Sequence, residues 1–534
     1  VARPYLPCAP YLACVAGLLC AAALAGLNGC AVGPNFHKPA APQDAGYTTQ
    51  PLPDATAATP VAGGDAQHFV SGQDVPYAWW EAFGSPALNS VVERAFRANP
   101  TVKAAQAALR QAQEMVYAQQ GYFYPTVSAD YNFERQMLAG NVSGSSAPGV
   151  QGNGTAINPV QSPTPPYNEP LYYNFHTATV TVGFTPDVFG LNRRKVESLD
   201  AQAQMQRFEL EATYLTLASN VVAAAIEEAS TRAQIKATEE IIAHNEKLLA
   251  VIEDKFNLGY AMKIDVATVE LQLAQAKALL APLQLQFEQT RDLLRVLIGG
   301  LPNQEIAETF ELSALTLPTQ LPVSLPAKIV EQRPDVRAAE QQLRSANAQV
   351  GVAIANMLPQ FTITGTAGGT ATQFSQMFSH GGPFWTLIGD ATQPIFQGGT
   401  LWHTKRAADE ALHQAAAQYQ STVLTAYQNV ADSLHALIAD ANALAADAEA
   451  ERAAKVLLDV TQQRSKSGFT DYPTELAAAI AYQQAVLSLA QAQATRFGDT
   501  AALYQALGGG WWNRKTAAGS VPGAGVPSNG TASD

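Results

Sequence analysis

Two stretches of this chain, Leu191 to Leu258 and Thr400 to Ser467, each run 68 residues without a glycine or a proline. Those two residues are the strongest interruptions of a helix, glycine through backbone entropy and proline through its missing N–H and its ring. Uninterrupted, each stretch makes a helix roughly 100 Å long at 1.5 Å per residue, where an ordinary globular helix has about three or four turns. Alanine lets such helices approach closely, and Leu210, Tyr214, Leu217 and Val221 share one face at three- and four-residue spacings. These features point to a coiled-coil-like or tubular assembly. A soluble helical bundle or a cytoskeletal-type coiled coil satisfies the helices equally well.

The two stretches belong to a tandem duplication. Asn99-Pro100-Thr101-Val102-Lys103-Ala104-Ala105 returns as Arg333-Pro334-Asp335-Val336-Arg337-Ala338-Ala339, and Pro125 as Pro359, at an offset of 234. Phe189 then matches Phe396 at offset 207, while Gly259-Tyr260 matches Gly468-Phe469 and Gly299-Gly300 matches Gly508-Gly509 at offset 209. Landmarks kept in order define a repeat, and a repeat defines the fold unit. Each copy reads helix, strand, loop, strand, very long helix, turn, helix. The first holds 27 extra residues within Ala139 to Pro170, rich in Gly, Ser, Asn and Pro, which predicts an exposed loop.

The strands discriminate between the assemblies. In Thr126-Val127-Ser128-Ala129-Asp130-Tyr131-Asn132-Phe133 the apolar and polar residues alternate strictly, the period of a strand. Thr177 to Phe184 and Phe361 to Ala367 repeat the pattern; Phe384 to Thr392 follows it except at Ile388. Apolar residues toward lipid and polar ones toward a wet lumen are what an outer-membrane barrel wall requires. No later segment supplies the ~18 apolar residues of a spanning helix, so a membrane crossing must be a barrel. Four strands per chain cannot close one, because the smallest have about eight, and open edges are not tolerated in lipid. The physics demands an oligomer.

Cysteine usage and charge narrow the class further. Cys8, Cys14 and Cys20 lie in an apolar N-terminal stretch preceded by Arg3, and no cysteine follows Cys30. This is the layout of a secretory signal over residues 1–29, with no disulfide framework or thiol chemistry beyond it. Leu27-Asn28-Gly29-Cys30 resembles the bacterial lipobox, with Asn28 in place of the usual small residue. The resemblance makes Cys30 the acylated first residue of the mature chain, carrying diacylglycerol and an N-acyl group, and Ala31 leaves the outer membrane as the default address. A plain signal peptide or a buried apolar helix is the alternative. A net charge of −13 with no basic patch argues against nucleic acid. No nucleophile elbow, phosphate loop, dinucleotide fingerprint or His-Glu-x-x-His pair is present. The chain reads as no enzyme, with no cofactor and no metal.

Taken together these residues resemble the TolC-like outer-membrane efflux factors, in the lipoprotein (OprM/NodT-type) branch that serves resistance-nodulation-division pumps. The resemblance covers Cys30 to about Trp511. It rests on Cys30-Ala31-Val32-Gly33-Pro34-Asn35-Phe36-His37-Lys38-Pro39, on Trp79-Trp80-Glu81-Ala82-Phe83 with Pro86-Ala87-Leu88 and Asn99-Pro100, and on Thr185-Pro186-Asp187-Val188-Phe189-Gly190. Arg333-Pro334-Asp335 and Gln397-Gly398-Gly399 complete it. It implies a mixed α/β membrane protein: a homotrimeric, twelve-stranded β-barrel, four strands per chain, continuous with a periplasmic α-helical barrel and belted by an equatorial domain.

The implied organisation is a lipid-anchored segment over residues 30–85, a first repeat over 86–310, a second over 311–510 and a disordered tail over 511–534. Partners implied are outer-membrane lipid, a periplasmic adaptor (membrane fusion protein) and an inner-membrane transporter. Adaptor-docking tips fall at Leu258, Gly259 and Tyr260 and at Ser467, Gly468 and Phe469, each glycine also serving as a helix C-cap. The family's acidic and aromatic gate is matched nearest by Asp471 and Tyr472, with the acid displaced by one position and Pro473 following; Asp471 also reads as an N-cap. The exit of a type I secretion system, and a non-conducting periplasmic spacer lipoprotein, are the competing readings.

Overall fold

The computed structural model describes residues 31–42, 46–138, 171–379, 381–467 and 472–514. The signal segment, Cys30, the loop over 139–170 and the tail beyond 514 lie outside them. Helices α1 (Pro86–Ala98) and α2 (Pro100–Gln120) lead into strands β2 (Thr126–Leu138) and β3 (Leu171–Phe184), then into α3 (Leu191–Asn257) and α4 (Lys263–Leu297). The second half repeats the order with α5 (Pro326–Gln332), α6 (Pro334–Ala355), β5 (Gln360–Ala371), β6 (Pro383–Thr392), α7 (Thr400–Lys466) and α8 (Tyr472–Ala506). Two short strands, β1 (His68–Ser71) and β4 (Gln320–Val323), pair in parallel.

The duplication is exact in length where it matters: α3 and α7 both have 67 residues, and α4 and α8 both have 35. The leading helix expected of each copy is two helices. Pro100 and Pro334 each occupy a first helical position, where the missing N–H costs nothing and where the preceding helix must stop. No helix among the described residues is long and apolar enough to cross a membrane.

The chain divides into two compact units, each drawing on both repeats. One contains residues 110–204 and 341–417 with the N-terminal strap up to Lys38, and holds the four-stranded antiparallel sheet in the order β2-β3-β5-β6. The other holds the described residues of 39–109, 205–340 and 418–514. Its core gathers Trp79, Phe83, Leu88, Phe497 and Tyr504, with Trp79 stacked on Tyr504 at 5.5 Å. Arg333 fixes the entry to the second repeat there. Its guanidinium bridges the Asp335 carboxylate at 3.0 and 2.6 Å and donates to Ala506 O at 3.0 Å, tying the start of α6 to the end of α8.

Candidate functional site: a two-faced sheet and a helical hairpin tip

Pairing across the sheet sorts its side chains into two faces. One face carries the rows Val127–Val182–Gly365–Leu387 and Ala129–Val180–Ala367–Trp385. Leu387 and Trp385 are 70 and 74% exposed, and Val127, Tyr131 and Phe133 are exposed beside them. Apolar area of that extent marks a surface that meets something apolar. The opposite face carries Ser128–Thr181–Thr366–Thr386 and Asn132–Thr177–Thr370. Thr181 and Thr366 share a hydrogen bond at 3.3 Å, as do Thr177 and Thr370. Ile388 opposes Thr364 on this polar face, so the break read in the sequence is real. Polar groups also stand on the apolar face toward one end of the sheet: Arg135 pairs with Asn174, and His176 Nδ1 lies 2.8 Å from the Tyr131 hydroxyl under the rings of Phe133 and Phe374. Strands β2 and β6 are the open edges.

The first hairpin tip is built as expected from Gly259. That residue has φ +77°, and Tyr260 N–H donates to Lys255 O at 2.8 Å while Gly259 N–H donates to Phe256 O at 3.0 Å. This is a Schellman closure, which needs the left-handed conformation glycine adopts without cost. Asp265 accepts the Met262 N–H at 2.8 Å and so starts α4. Behind the turn Leu248, Ile252, Val269 and Leu476 form a buried cluster. In front of it Leu258, Tyr260, Met262 and Ile264 are each more than 65% exposed, with Phe256 beside them. Sequence reading placed Phe256, Leu258 and Tyr260 in the tip but not Met262 or Ile264; their signal was apolar residues bracketing a turn with no core to receive them. At the second tip Ser467 is exposed, and its N–H and hydroxyl both donate to Gln463 O. Gly468, Phe469 and Asp471 lie outside the described residues; Tyr472 opens α8, with its side chain likewise outside.

The N-terminal motif has a structural role. Arg194, nearly buried in α3, donates from Nε to Val32 O at 2.9 Å and from Nη2 to Gly33 O and Asn35 Oδ1 at 3.1 and 2.9 Å. Val32 N–H donates to Phe189 O at 3.1 Å, and Asn347 Nδ2 to Pro34 O at 3.0 Å. Gly190, with φ +77°, lets the strap pass: a Cβ there would stand 2.6 Å from Ala31 Cα. Asp187 accepts the Asn192 and Arg193 N–H groups at 2.8 and 2.9 Å, satisfying two of the donors orphaned at the start of α3.

A second constellation had no sequence signature. Arg496, fully buried in α8, donates to Gly63 O, Asp65 O, Thr56 Oγ1 and Leu437 O at 2.8–3.1 Å. Beside it Asp440 is pushed up to about 7, by burial first and by the hydrogen bond and charge of Asp499 next, with Arg496 pulling the other way. The folded protein therefore holds a proton that the unfolded chain has released. The resulting stability is present at low pH and is lost as pH rises from the ordinary 3.8 through about 7. Asp440→Asn is expected to flatten the thermal midpoint across that window; a midpoint that still falls in parallel with the parent would exclude Asp440 as the group. No set of three metal-ligating side chains occurs among the described residues.

A family model described as "Outer membrane efflux protein" matches residues 91–300 and 325–509. The solvent efflux pump outer membrane protein SrpC of Pseudomonas putida is 26% identical over 493 residues, 92% of this chain and 97% of that protein. The pyoverdine export outer membrane protein OpmQ of Pseudomonas putida KT2440 is 26% identical over 464 residues, 86% and 94% of the two chains. Among solved structures, the outer-membrane channel OprN superposes with TM-score 0.76 at 23% identity, covering 90% of this chain and 100% of that one. The Campylobacter jejuni CmeC outer membrane channel superposes at 0.75 with 19% identity, covering 90% and 95%.

Proposed function

The chain belongs to the outer membrane efflux protein family, and we propose that it acts there as a homotrimeric, passive conduit. It is the outer-membrane component of an efflux system. The observation that carries the trimer is the four-stranded sheet with one apolar exposed face, one threonine-rich face and two unpaired edges, β2 and β6. In lipid those edge N–H and C=O groups must be paired, and three copies joined edge to edge supply twelve strands.

Energy comes from an inner-membrane resistance-nodulation-division transporter, coupled through a periplasmic adaptor that meets the hairpin tips; the chain itself catalyses nothing. Cys30 carries the lipid anchor, and Asp471 with Tyr472 narrows the periplasmic end. The cargo is small drugs or apolar compounds, in keeping with relatives named for solvent and toluene efflux.

Single-channel recording in planar bilayers tests the conduit. Small, cation-selective openings are expected, enlarged in Asp471→Ala; silent bilayers from well-folded trimers, with and without adaptor, would favour the non-conducting spacer. The tip is tested apart from the pore. Because Leu258 and Tyr260 are exposed, replacing both with serine should leave folding intact and weaken adaptor binding roughly tenfold or more, the scale of losing an apolar anchor. Unchanged affinity in a surface-binding measurement would remove this tip from the docking surface.

A further inference from the structure

The two halves of the sheet are one hairpin used twice. Thr126 pairs with Gly183 in the first, and Gln360, its counterpart at offset 234, pairs with Thr392 in the second. Strand β6 therefore follows β3 at offset 209, the offset that also separates the starts of α3 and α7 at Leu191 and Thr400. Where the hairpins meet inside the chain, β3 lies antiparallel to β5 with Thr181 opposite Thr366 and Thr177 opposite Thr370. Charge is spread unevenly over the polar face. The inner strands β3 and β5 carry no charged residue there. Among the described strand residues of that face the charged ones are Asp130 and Glu134 on β2 and Asp390 on β6, all acidic and all on the open edges.

We propose that β6 of one copy pairs antiparallel with β2 of the next in one register: Thr392 opposite Asp130, Asp390 opposite Asn132 and Thr386 opposite Gln136. The proposal rests on the reading that three copies join edge to edge. Two independent arguments meet in it. Three copies make a ring of six like hairpins, and closing a barrel fixes the stagger from strand to strand. Carrying the β3–β5 register onto the β6–β2 junction, by offsets of 209 and 234, gives these pairs. Charge selects the same register. A slip of one residue turns every side chain of the strand to the wrong face. A slip of two sets Asp390 opposite Asp130 in one direction and opposite Glu134 in the other, and like charges directly opposite destabilise a strand pair. In the proposed register each carboxylate meets a donor instead, Asp390 the Asn132 amide and Asp130 the Thr392 hydroxyl. Beyond the end of β6 the same register brings Ile395 of one copy, 89% exposed, beside Val127 of the next, 69% exposed.

The test uses the full-length protein in its membrane, where no cysteine follows Cys30. Thr386→Cys is combined in turn with Gln136→Cys, Glu134→Cys and Leu138→Cys, which leave Asp130 and Asp390 in place, and each pair is read against Thr386→Cys alone. Oxidation of the first pair should give covalently linked copies on a non-reducing gel. Its yield should stand roughly tenfold or more above the other two, because directly opposite residues lie within disulfide reach and those two positions away stand about 7–8 Å off. Thr177→Cys with Thr370→Cys, whose parent hydroxyls lie 3.3 Å apart within one chain, is the control and should oxidise without linking copies. The highest yield at 134 or 138, or no linkage in any pair while native mass still shows trimer, would overturn the register and leave the trimer standing. Monomer by native mass in the parent protein would remove trimer and register together. A charge exchange checks the contact without cysteine. Asn132→Asp should lower several-fold the fraction of trimer that survives heating in detergent, and adding Asp390→Asn should restore it. An unchanged fraction, or a loss without that rescue, would deny the Asp390–Asn132 pairing.

Discussion

Arginine at Val180 is expected to prevent assembly in the outer membrane, whereas arginine at the next residue, Thr181, is expected to be tolerated. The two side chains point to opposite faces of β3: Val180 stands in the row Ala129–Ala367–Trp385, and Thr181 in the row Ser128–Thr366–Thr386. A cation facing lipid near the bilayer midplane costs about 2–4 kcal/mol per copy, and a symmetric trimer incurs it three times. Facing water the same charge costs little. Heat-modifiable trimer on a gel, together with surface proteolysis of intact cells, separates the outcomes. Equal tolerance at both positions would mean that neither face meets lipid, and the membrane-wall interpretation of the sheet would be lost.

The second large effect is expected at Arg496. Its guanidinium satisfies three carbonyls and one hydroxyl inside the protein, and three of those four acceptors belong to the strap between Thr56 and Asp65. Arg496→Met keeps most of the volume but strands those acceptors and leaves Asp440 without its neighbouring cation. Removing one partner from a buried charged network costs about 3–5 kcal/mol. Lysine should recover only part of this, because a single ammonium cannot span four separated acceptors as a planar fork does. Thermal unfolding gives the magnitude, and proteolysis within residues 55–67 should accelerate before the rest of the chain yields. A loss below about 1 kcal/mol would show the strap to be held by other contacts.

The contrast between these two sites shows what a sequence displays. The sheet faces were legible because alternation is local: Thr126 to Phe133 carries its own polarity, and pairing only extended the strand to Leu138. The long helices were legible because glycine and proline punctuate them, and the observed ends at Asn257 and Lys466 fall two residues before Gly259 and Gly468. Arg496 was invisible for the opposite reason. Its partners lie more than 430 residues away in Thr56, Gly63 and Asp65, and an arginine in an alanine-rich helix has no local mark that separates a buried clamp from a solvated side chain. The pair β1–β4 escaped likewise, since four residues are too few to establish a period and the partners stand about 250 positions apart. The crown at the first tip lies between these cases: its residues are contiguous, but exposed apolar side chains become informative only once the core behind them is known to be full.

The matched lengths of α3 with α7, and of α4 with α8, act as a common gauge between the two halves. Four residues inserted into α3 alone lengthen it by about 6 Å and turn its buried stripe away from its neighbours. Seven residues keep the stripe aligned to within about 20°, yet still leave one hairpin longer than the other. Only matched insertions in all four helices preserve both alignment and level. The reach of such a protein can therefore change by drift in its residues far more easily than by drift in its length, and a lineage that needs a longer or shorter trunk must alter its staves together.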